Sequence, residues 1–554
     1  MNGFNLSDIT DAKLGTTTLG SIYLGSTKLW PLSNIDYSQE YLTIKSLADN
    51  NNITWTFTGS DPIQNVIYWS KNGTSWTSAI ALDSNAPVSL ATLNKGEKMY
   101  LKGENIKYAS STTNYSHFNS DYEFDISGNI MSLIYGDNFI GQTTLSSSYN
   151  FVGIFKSSKV YDASNLILPA TTLTNFCYRN MFNGCTSLTA APVLPATTLA
   201  SSCYSNMFNG CTSLTAAPEL PATTLTGTYC YYNMFNGCTS LATAPVLPAT
   251  TLTNYCYENM FEGCSSLATA PVLPATTLAN SCYAYMFNGC TSLATAPVLP
   301  ATTLANGCYA YMFGGCSSLA TVPALPATTL APSCYSYMFN GCTSLATAPE
   351  LPATTLANSC YAYMFYKCTS LATSPALPAT KLASSCYAYM FEGCSSLATA
   401  PELPATTLAN SCYMSMFAGT KITAAPELPA TTLADSCYRN MFYGCASLRY
   451  PPTLNATILQ PRCYQHMFFG CTSLKTAPEL PAKTLATYCY AYMFQNCTSL
   501  SYIKCLATNI SASNSHDWWL YNVASTGTFV KSSSMYSWPS NAHGIPSGWT
   551  VVNV

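Results

Sequence analysis

One motif recurs from about residue 168 to residue 500, and it constrains the fold more than any other feature of the chain. Its consensus is L-P-A-T-T-L-A-x-S-C-Y-x-x-M-F-x-G-C-T-S-L-x-x-A-P-x, and it occurs thirteen times at a period of 26 residues, with one spacing of 27 and one of 25. A unit of this length cannot bury its own apolar face, so successive units must stack. The repeat therefore predicts a solenoid.

Each repeat is expected to contain one short strand and one short helix. In the repeat around residue 350, residues 345–351 read L-A-T-A-P-E-L, which is typical of a short edge-like strand interrupted by proline. Asn358 or Ser359 is placed to cap a short helix over residues 360–365. A glycine then follows in most repeats, where a helix would end in the left-handed conformation.

The segments outside the repeats differ from them in composition. Short echoes of L-G-T-T-T-L open the chain, alternating apolar and polar residues such as I-T-W-T-F follow, and the tail is rich in tryptophan. Alternation of this kind predicts an antiparallel β-sandwich. The expected units are a β-rich attachment module at 1–33, a β-sandwich spacer at 34–128, a cap with a degenerate repeat at 129–168, the solenoid at 169–504 and a C-terminal cap at 505–554.

The composition argues against several functions. Only 8% of residues are charged and the net charge is −3, so the chain lacks the basic surface that nucleic-acid binding needs. Four histidines and the absence of phosphate-loop, dinucleotide or zinc-protease motifs predict no enzyme, no catalytic residue, no metal and no cofactor. No apolar run is long enough to span a membrane, so no membrane insertion is expected, and the N-terminus does not resemble a secretory signal.

The 26 cysteines are expected to be free and buried. They follow a Cys-x7-Cys spacing, which is not a standard zinc spacing, and no Cys-x-x-Cys pair occurs. Ser158 in the degenerate repeat and Thr420 in the tenth repeat stand where the second cysteine is missing. This exchange indicates a small buried side chain, a role that free cysteine fills in protein cores.

The pattern M-F-x-G-C-[TS]-S-L, followed by a short strand and L-P, resembles the BspA-like leucine-rich repeat, whose units read A-F-x-x-C-x-x-L. The resemblance covers the repeats and implies a leucine-rich-repeat solenoid. The unit here is longer than the family's usual one, and methionine replaces the usual alanine.

A partial file of tyrosines is the candidate binding surface. It occupies the most variable position of the repeat, where Asn180, Ser415 and His466 also occur. An exposed aromatic stripe is able to stack on sugar rings or on a protein partner, whereas packing between repeats is the alternative explanation. The candidate contact residues are Tyr285, Tyr311, Tyr337, Tyr363 and Tyr389.

Two other features carry weaker functional interpretations. Glutamates before the repeat's Leu-Pro, such as Glu402 and Glu427, form one file that could bind a cation or simply face solvent. His516 and Asp517 lie beside Ser515, but adjacency in sequence is not the geometry of a catalytic triad.

The resemblance implies two functions of different classes. Residues 24–31 and the ending G-x-P-S-G-W-T are similar to structural proteins of phages and prophages of gut Bacteroidales. This similarity implies a virion protein that joins other virion proteins through residues 1–33 and presents the repeats to a host-surface glycan or protein. Assembly in the host cytoplasm would need no signal peptide. A homo-oligomer of the chain is a further possible partner. The alternative is a bacterial cell-surface adhesin, the usual role of BspA-like repeats.

Overall fold

The computed structural model describes residues 36–554 apart from 62, 84–85 and 541–542, together with four short strands before residue 36. These four are β1 (Lys13–Leu14), β2 (Thr17–Thr18), β3 (Ile22–Leu24) and β4 (Thr27–Trp30). They form two antiparallel pairs, β1 with β2 and β3 with β4. The predicted attachment role of residues 1–33 otherwise lies outside the described residues.

Two β-sheets follow and pack against each other. Their strands are β5 (Leu42–Ser46), β6 (Asn51–Thr58), β7 (Val66–Ser70), β8 (Thr77–Ile80), β9 (Val88–Leu93), β10 (Lys98–Gly103), β11 (Tyr115–Ser120), β12 (Phe124–Asn129) and β13 (Val160–Ile167). The first sheet has the order β13-β12-β5-β10-β7-β8 and the second has the order β11-β6-β9. Alternation along β6 places Ile53, Trp55 and Phe57 in the core.

The only regular helices in the described residues are short. One α-helix covers Ser132–Tyr135, and 3-10 helices cover Tyr37–Gln39 and Gly136–Asn138. None of the described helices is long and apolar enough to cross a membrane.

The repeats form a stack of coils in which backbone N–H groups bond alternately between and within coils. The N–H of Tyr361 donates to the carbonyl oxygen of Cys386, one coil later, at 3.0 Å, whereas the N–H of Ala362 donates to Ser359 in its own coil at 3.2 Å. The same alternation runs through the corresponding segment of the other coils. Every second N–H therefore joins neighbouring coils.

The short helix predicted in each repeat is not formed, and that part of the fold prediction was wrong. Ser359, Tyr363 and Lys367 have φ angles of 55°, 58° and 57°. A right-handed helix cannot contain a left-handed residue at every fourth position. The segment is instead a run of tight turns with a period of four residues. The left-handed glycine was predicted correctly, since Gly341 has a φ of 71°.

The remaining part of each coil is extended but pairs only at isolated positions. Exposed threonines form parallel bridges between neighbouring coils, for example Thr269 with Thr295 and Thr295 with Thr321. Between these bridges the chain reads P-x-L-P, and proline has no N–H to donate to a neighbouring strand. Regular strand ladders are therefore interrupted along this face.

The sandwich and the solenoid share one hydrophobic core. Phe118 of β11 stacks on Phe155 at 5.7 Å, and Phe155 stacks on Phe182 of the next coil at 5.6 Å. This phenylalanine file continues to Phe494, with 5.5 Å between the last two rings. The units expected on either side of residue 128 are thus joined by a continuous aromatic file, and the sandwich covers the first coil.

The tail closes the other end of the stack. Strands β14 (Tyr502–Cys505), β15 (Gly527–Lys531) and β16 (Trp549–Asn553) form a parallel sheet beside the last coils. Trp519 is fully buried and stacks on Tyr490 of the last repeat at 6.2 Å and on Trp538 at 5.2 Å.

All 26 cysteines are free and buried, as predicted. Because a low-dielectric core disfavours the thiolate, burial raises the pKa of each thiol, for example that of Cys256 to about 12. Ser158 and Thr420 are buried at the positions of the missing cysteines. Each donates its hydroxyl to a phenylalanine carbonyl of its own coil, at 2.7 and 2.8 Å.

Candidate functional site

The five predicted tyrosines form a single stack on the turn side of the solenoid, which we call the tyrosine stack: Tyr285, Tyr311, Tyr337, Tyr363 and Tyr389. Neighbouring ring centroids are 4.4, 4.1, 4.1 and 4.2 Å apart, and the ring planes are within 9° of parallel. Each ring covers the face of the next. The ring faces inside the stack are therefore closed to a ligand, and the edges and hydroxyl groups are what solvent meets.

The local backbone explains why these rings meet. Each stack tyrosine holds a left-handed conformation, with φ between 55° and 58°. The preceding and following residues point into the core, while the left-handed residue points outward, once per coil. Bulky residues rarely adopt this conformation, so the ring stacking offsets a backbone cost.

The tyrosines are half-buried, and burial raises the pKa of four of them, Tyr285, Tyr311, Tyr337 and Tyr363. Burial, followed by the charge and hydrogen bonding of neighbouring tyrosines and glutamates, raises the pKa of Tyr285 to about 12. The pKa of Tyr337 and that of Tyr363 are each raised to about 12, again mainly by burial. These four hydroxyls therefore stay protonated at neutral pH and act as hydrogen-bond donors and acceptors.

The same position carries other side chains outside the tyrosine stack. Asn233 donates its side-chain amide to the side-chain oxygen of Asn206 at 3.0 Å, so asparagines continue the file toward the N-terminus. His466 stacks on Tyr492 at 4.6 Å toward the C-terminus. Asparagine tolerates the left-handed conformation well, which explains its use here.

Sequence reasoning missed further outward stacks. Tyr149 stacks on Phe176 at 4.7 Å, Tyr229 stacks on Tyr255 at 4.5 Å, and Tyr443 stacks on Phe469 at 4.6 Å. The spacing of the repeats could have identified these pairs, since their members are 27, 26 and 26 residues apart.

Two half-buried carboxyls lie at the N-terminal end of the tyrosine stack. Burial, with a smaller contribution from the charge of Glu262, raises the pKa of Glu258 to about 7. Glu262 accepts a hydrogen bond from the Asn236 side chain at 2.7 Å, and both glutamates act on the pKa of Tyr285.

The glutamate file lies on the proline-rich face of the coils. Glu402 and Glu427 are exposed and line one cleft of about 350 Å³ between neighbouring coils. Similar clefts contain Glu350 and Glu402 with flanking prolines. In the N-terminal coils the same position holds exposed valines, such as Val246 and Val298.

The histidine region of the tail does not form a triad. The Ser515 hydroxyl lies 2.9 Å from Nδ1 of His516, but Asp517 pairs with a different histidine, His543, at 3.3 Å. Ser515 is fully buried and cannot reach a substrate. Within the described residues, no group of three or more histidine, cysteine or acidic side chains is arranged to hold a metal ion.

The family comparison agrees with the repeat architecture. A family model for the BspA type leucine rich repeat region, of six copies, matches residues 154–294, 308–449 and 413–534. No curated protein shows significant similarity to the chain. Among solved structures, the TLR13–ssRNA13 complex matches at 13% identity and a TM-score of 0.20, over 67% of this chain and 50% of that chain. This chain thus spans half the length of that structure.

The family match begins at the first coil and extends into the tail, covering well over half of the chain. The matched residues include the stacked coils, the phenylalanine file and the tyrosine stack. The chain belongs to the BspA-type leucine-rich repeat family.

Proposed function

We propose that the chain is a non-enzymatic adhesin that presents its solenoid to a host surface. In its finer form the proposal is a bacteriophage virion protein, attached to a fibre, tail or head through residues 1–33. The structural observation that supports an adhesin is the arrangement of outward side chains in files that repeat once per coil. A linear array of this kind matches a ligand that is itself a repeating polymer.

The outward files consist mainly of hydroxyl and amide groups. Exposed threonines bridge neighbouring coils along the extended part of each coil, and tyrosine hydroxyls line the tyrosine stack on the turn side. Only 8% of the chain's residues are charged, so long-range electrostatic steering contributes little. Such a surface suits glycans, which bind through many hydrogen bonds and through contacts with aromatic edges.

The tyrosines keep a role in this proposal, but not the one expected from sequence. Because the ring faces are covered, a ligand would run along the row of hydroxyls rather than stack on each ring. Only the outer faces of the end rings, Tyr285 and Tyr389, are left uncovered by another tyrosine of the stack.

Location separates the virion proposal from the alternative, a bacterial cell-surface adhesin. Purified virions and cell envelopes from a culture that makes the protein would be compared by mass spectrometry and immunogold labelling. The virion proposal expects the protein in particles, at a structure visible by electron microscopy. Label confined to the cell envelope would favour the cell-surface adhesin, and label in neither fraction would reject both.

Surface binding is tested with the purified full-length protein. We expect it to adsorb to host cells and to lose adsorption when host polysaccharide is removed by periodate oxidation. The variant replaces Tyr311, Tyr337 and Tyr363 with Asn. Asparagine already occupies this position in other coils, so the variant is expected to keep the fold and to lose only the aromatic rings. Unchanged adsorption by this triple variant would remove the tyrosine stack from the binding surface.

A further inference from the structure

A cleft near the C-terminal end of the solenoid differs from the other clefts in its charge. It has a volume of about 710 Å³ and is lined by Arg449, Tyr450, Pro451, Ser473, Lys475, Thr476 and Ser499. The clefts on the proline-rich face are smaller, at about 290 to 400 Å³, and contain glutamates. This C-terminal cleft instead combines two cations, three hydroxyl groups and an aromatic ring.

The two cations stand in equivalent places on neighbouring coils. Arg449 and Lys475 each follow the repeat's buried leucine, 26 residues apart. Other coils carry alanine there, for example Ala346 and Ala372. Stacking therefore brings both side chains to the same edge of one cleft.

Both cations are without an acidic partner in the part of the chain that the structure describes. They are exposed, and the carboxylate of Glu479, four residues after Lys475, is engaged by Lys504 at 3.0 Å. On a surface with so few charges, two unpaired cations at one cleft form a local positive site. An anionic group would find charge-assisted hydrogen bonds there.

The backbone at this cleft also differs from that of the two neighbouring coils. The N–H of Ala425 donates to Tyr450 of the next coil at 2.9 Å, and the N–H of Ala477 donates to Tyr502 at 2.9 Å. Pro451 occupies the equivalent place in the coil between them and has no N–H to donate toward Thr476. The two coils that form the cleft are thus not tied together at this point.

The uncharged residues that line the cleft are suited to binding a sugar. The Tyr450 side chain is 68% exposed beside the two cations, and aromatic rings contact the apolar faces of sugar rings. Ser473, Thr476 and Ser499 supply hydroxyls for neutral polar groups. We propose that this cleft binds a saccharide unit that carries an anionic group, such as a uronate carboxylate or a sugar phosphate.

This inference narrows the ligand class of the proposed adhesin function, but its test does not depend on where the protein is located. Binding of an oligogalacturonide to the full-length protein would be measured by calorimetry, with the fully methyl-esterified form as the neutral match. Sugar phosphate and inorganic phosphate serve as separate arms for the source of the anion. We expect the acidic oligosaccharide to bind at least about tenfold more tightly than its ester, and the difference to shrink at high salt.

The variants restore residues that other coils already use. Arg449→Ala with Lys475→Ala should weaken binding of the acid form roughly tenfold or more, as expected for losing charged hydrogen bonds. Tyr450→Thr should weaken the saccharide but not inorganic phosphate. Lys381→Thr removes an exposed cation from another coil, also toward the repeat consensus, and should change nothing. Thermal unfolding of each variant verifies the fold.

Four outcomes would overturn the inference. Two are equal binding of the acid and its ester, and undiminished binding by the double variant. The others are tighter binding of a single-stranded RNA oligonucleotide than of any saccharide, and inorganic phosphate binding as tightly as the oligosaccharide, which would remove sugar recognition from the cleft. If the double variant still adsorbs to host cells while losing the oligosaccharide, the adhesin proposal stands and the cleft is not its receptor site.

Discussion

The thiol of Cys238 donates a hydrogen bond to the backbone carbonyl oxygen of Phe208, one coil earlier, at 3.1 Å. The same oxygen accepts the backbone N–H of Cys211 at 3.1 Å. A carbonyl oxygen has two lone pairs, and the thiol occupies the second one inside a dry core. The second cysteine of the repeat is therefore both a small apolar side chain and a hydrogen-bond donor.

Replacing this thiol should separate the two roles. We expect Cys238→Ala to lower the free energy of unfolding by about 1–3 kcal/mol, because a donor is lost and a small cavity is left. Cys238→Ser should cost less, since the hydroxyls of Ser158 and Thr420 already fill this position and find an acceptor in the phenylalanine carbonyl of their own coil. Urea denaturation followed by circular dichroism gives both values. A serine variant as unstable as the alanine variant would contradict the donor role.

Alkaline pH should destabilise the protein. The core raises the pKa of Cys256 to about 12, whereas an exposed thiol ionises near 8.5. Above about pH 8.5 the unfolded chain loses protons that the folded chain keeps, so the free energy of unfolding falls as pH rises toward 12. The urea midpoint should be constant from pH 7 to 8 and decline from pH 9 upward. A flat profile to pH 10.5 would show that the thiols are not buried as described.

The left-handed position after the Met-Phe pair offers a matched pair of substitutions. Lys367 has a φ of 57° where most repeats carry glycine. We expect Lys367→Gly to raise the free energy of unfolding by roughly 0.5–1 kcal/mol, and Gly341→Ala to lower it by about 1 kcal/mol. A Cβ at Gly341 meets its nearest atoms at 3.7 Å, so the cost arises from the backbone and not from a clash. Thermal unfolding of both variants tests the assignment, and a destabilised Lys367→Gly would refute it.

The tyrosine stack should tolerate asparagine better than a β-branched residue. Tyr337 has a φ of 57°, and asparagine holds the same conformation in five other coils at this position. We expect Tyr337→Asn to change stability by less than about 1 kcal/mol, because eased backbone strain offsets lost stacking. Tyr337→Val should cost about 2 kcal/mol or more. Similar melting temperatures for the two variants would mean that backbone conformation does not select the residues of this file.

The solenoid was predictable from sequence, but its local structure was not. A spacing of 26 residues with invariant leucine, phenylalanine and cysteine requires stacking, whatever the backbone does between those positions. The core files follow directly from that spacing. The helix was predicted because Asn358 or Ser359 could cap residues 360–365 and a glycine follows them. Those signals do not reveal the interval between turns. The true interval is four residues, and it is set by left-handed residues that are not obvious when they are tyrosine or serine.

The candidate site was likewise predictable in part: the alignment of its residues was predicted from sequence, and their local geometry was not. The spacing alone was enough to place Tyr285 to Tyr389 in one file, and the structure brings them together. Whether the rings face solvent or each other depends on the left-handed backbone conformation of the tyrosines. No pattern in the repeat predicts that conformation. The C-terminal cleft was missed because Arg449 and Lys475 are isolated substitutions, and their proximity exists only in the stack.

In the turn segment of each coil, the backbone hydrogen bonds between coils run in one direction, and this gives that part of the stack two unlike ends. There each coil donates N–H groups to the coil that follows it, so an uncovered first coil would present bare carbonyl oxygens and an uncovered last coil bare N–H groups. The sandwich supplies donors at one end, as from Phe118 to the carbonyl oxygen of Ile154, and the tail supplies acceptors at the other, as from Trp519 to the N–H of Phe494. Coils without these covers would be complementary end to end and could add to one another without limit, so the two flanking segments are what keeps a self-templating repeat from growing into a filament.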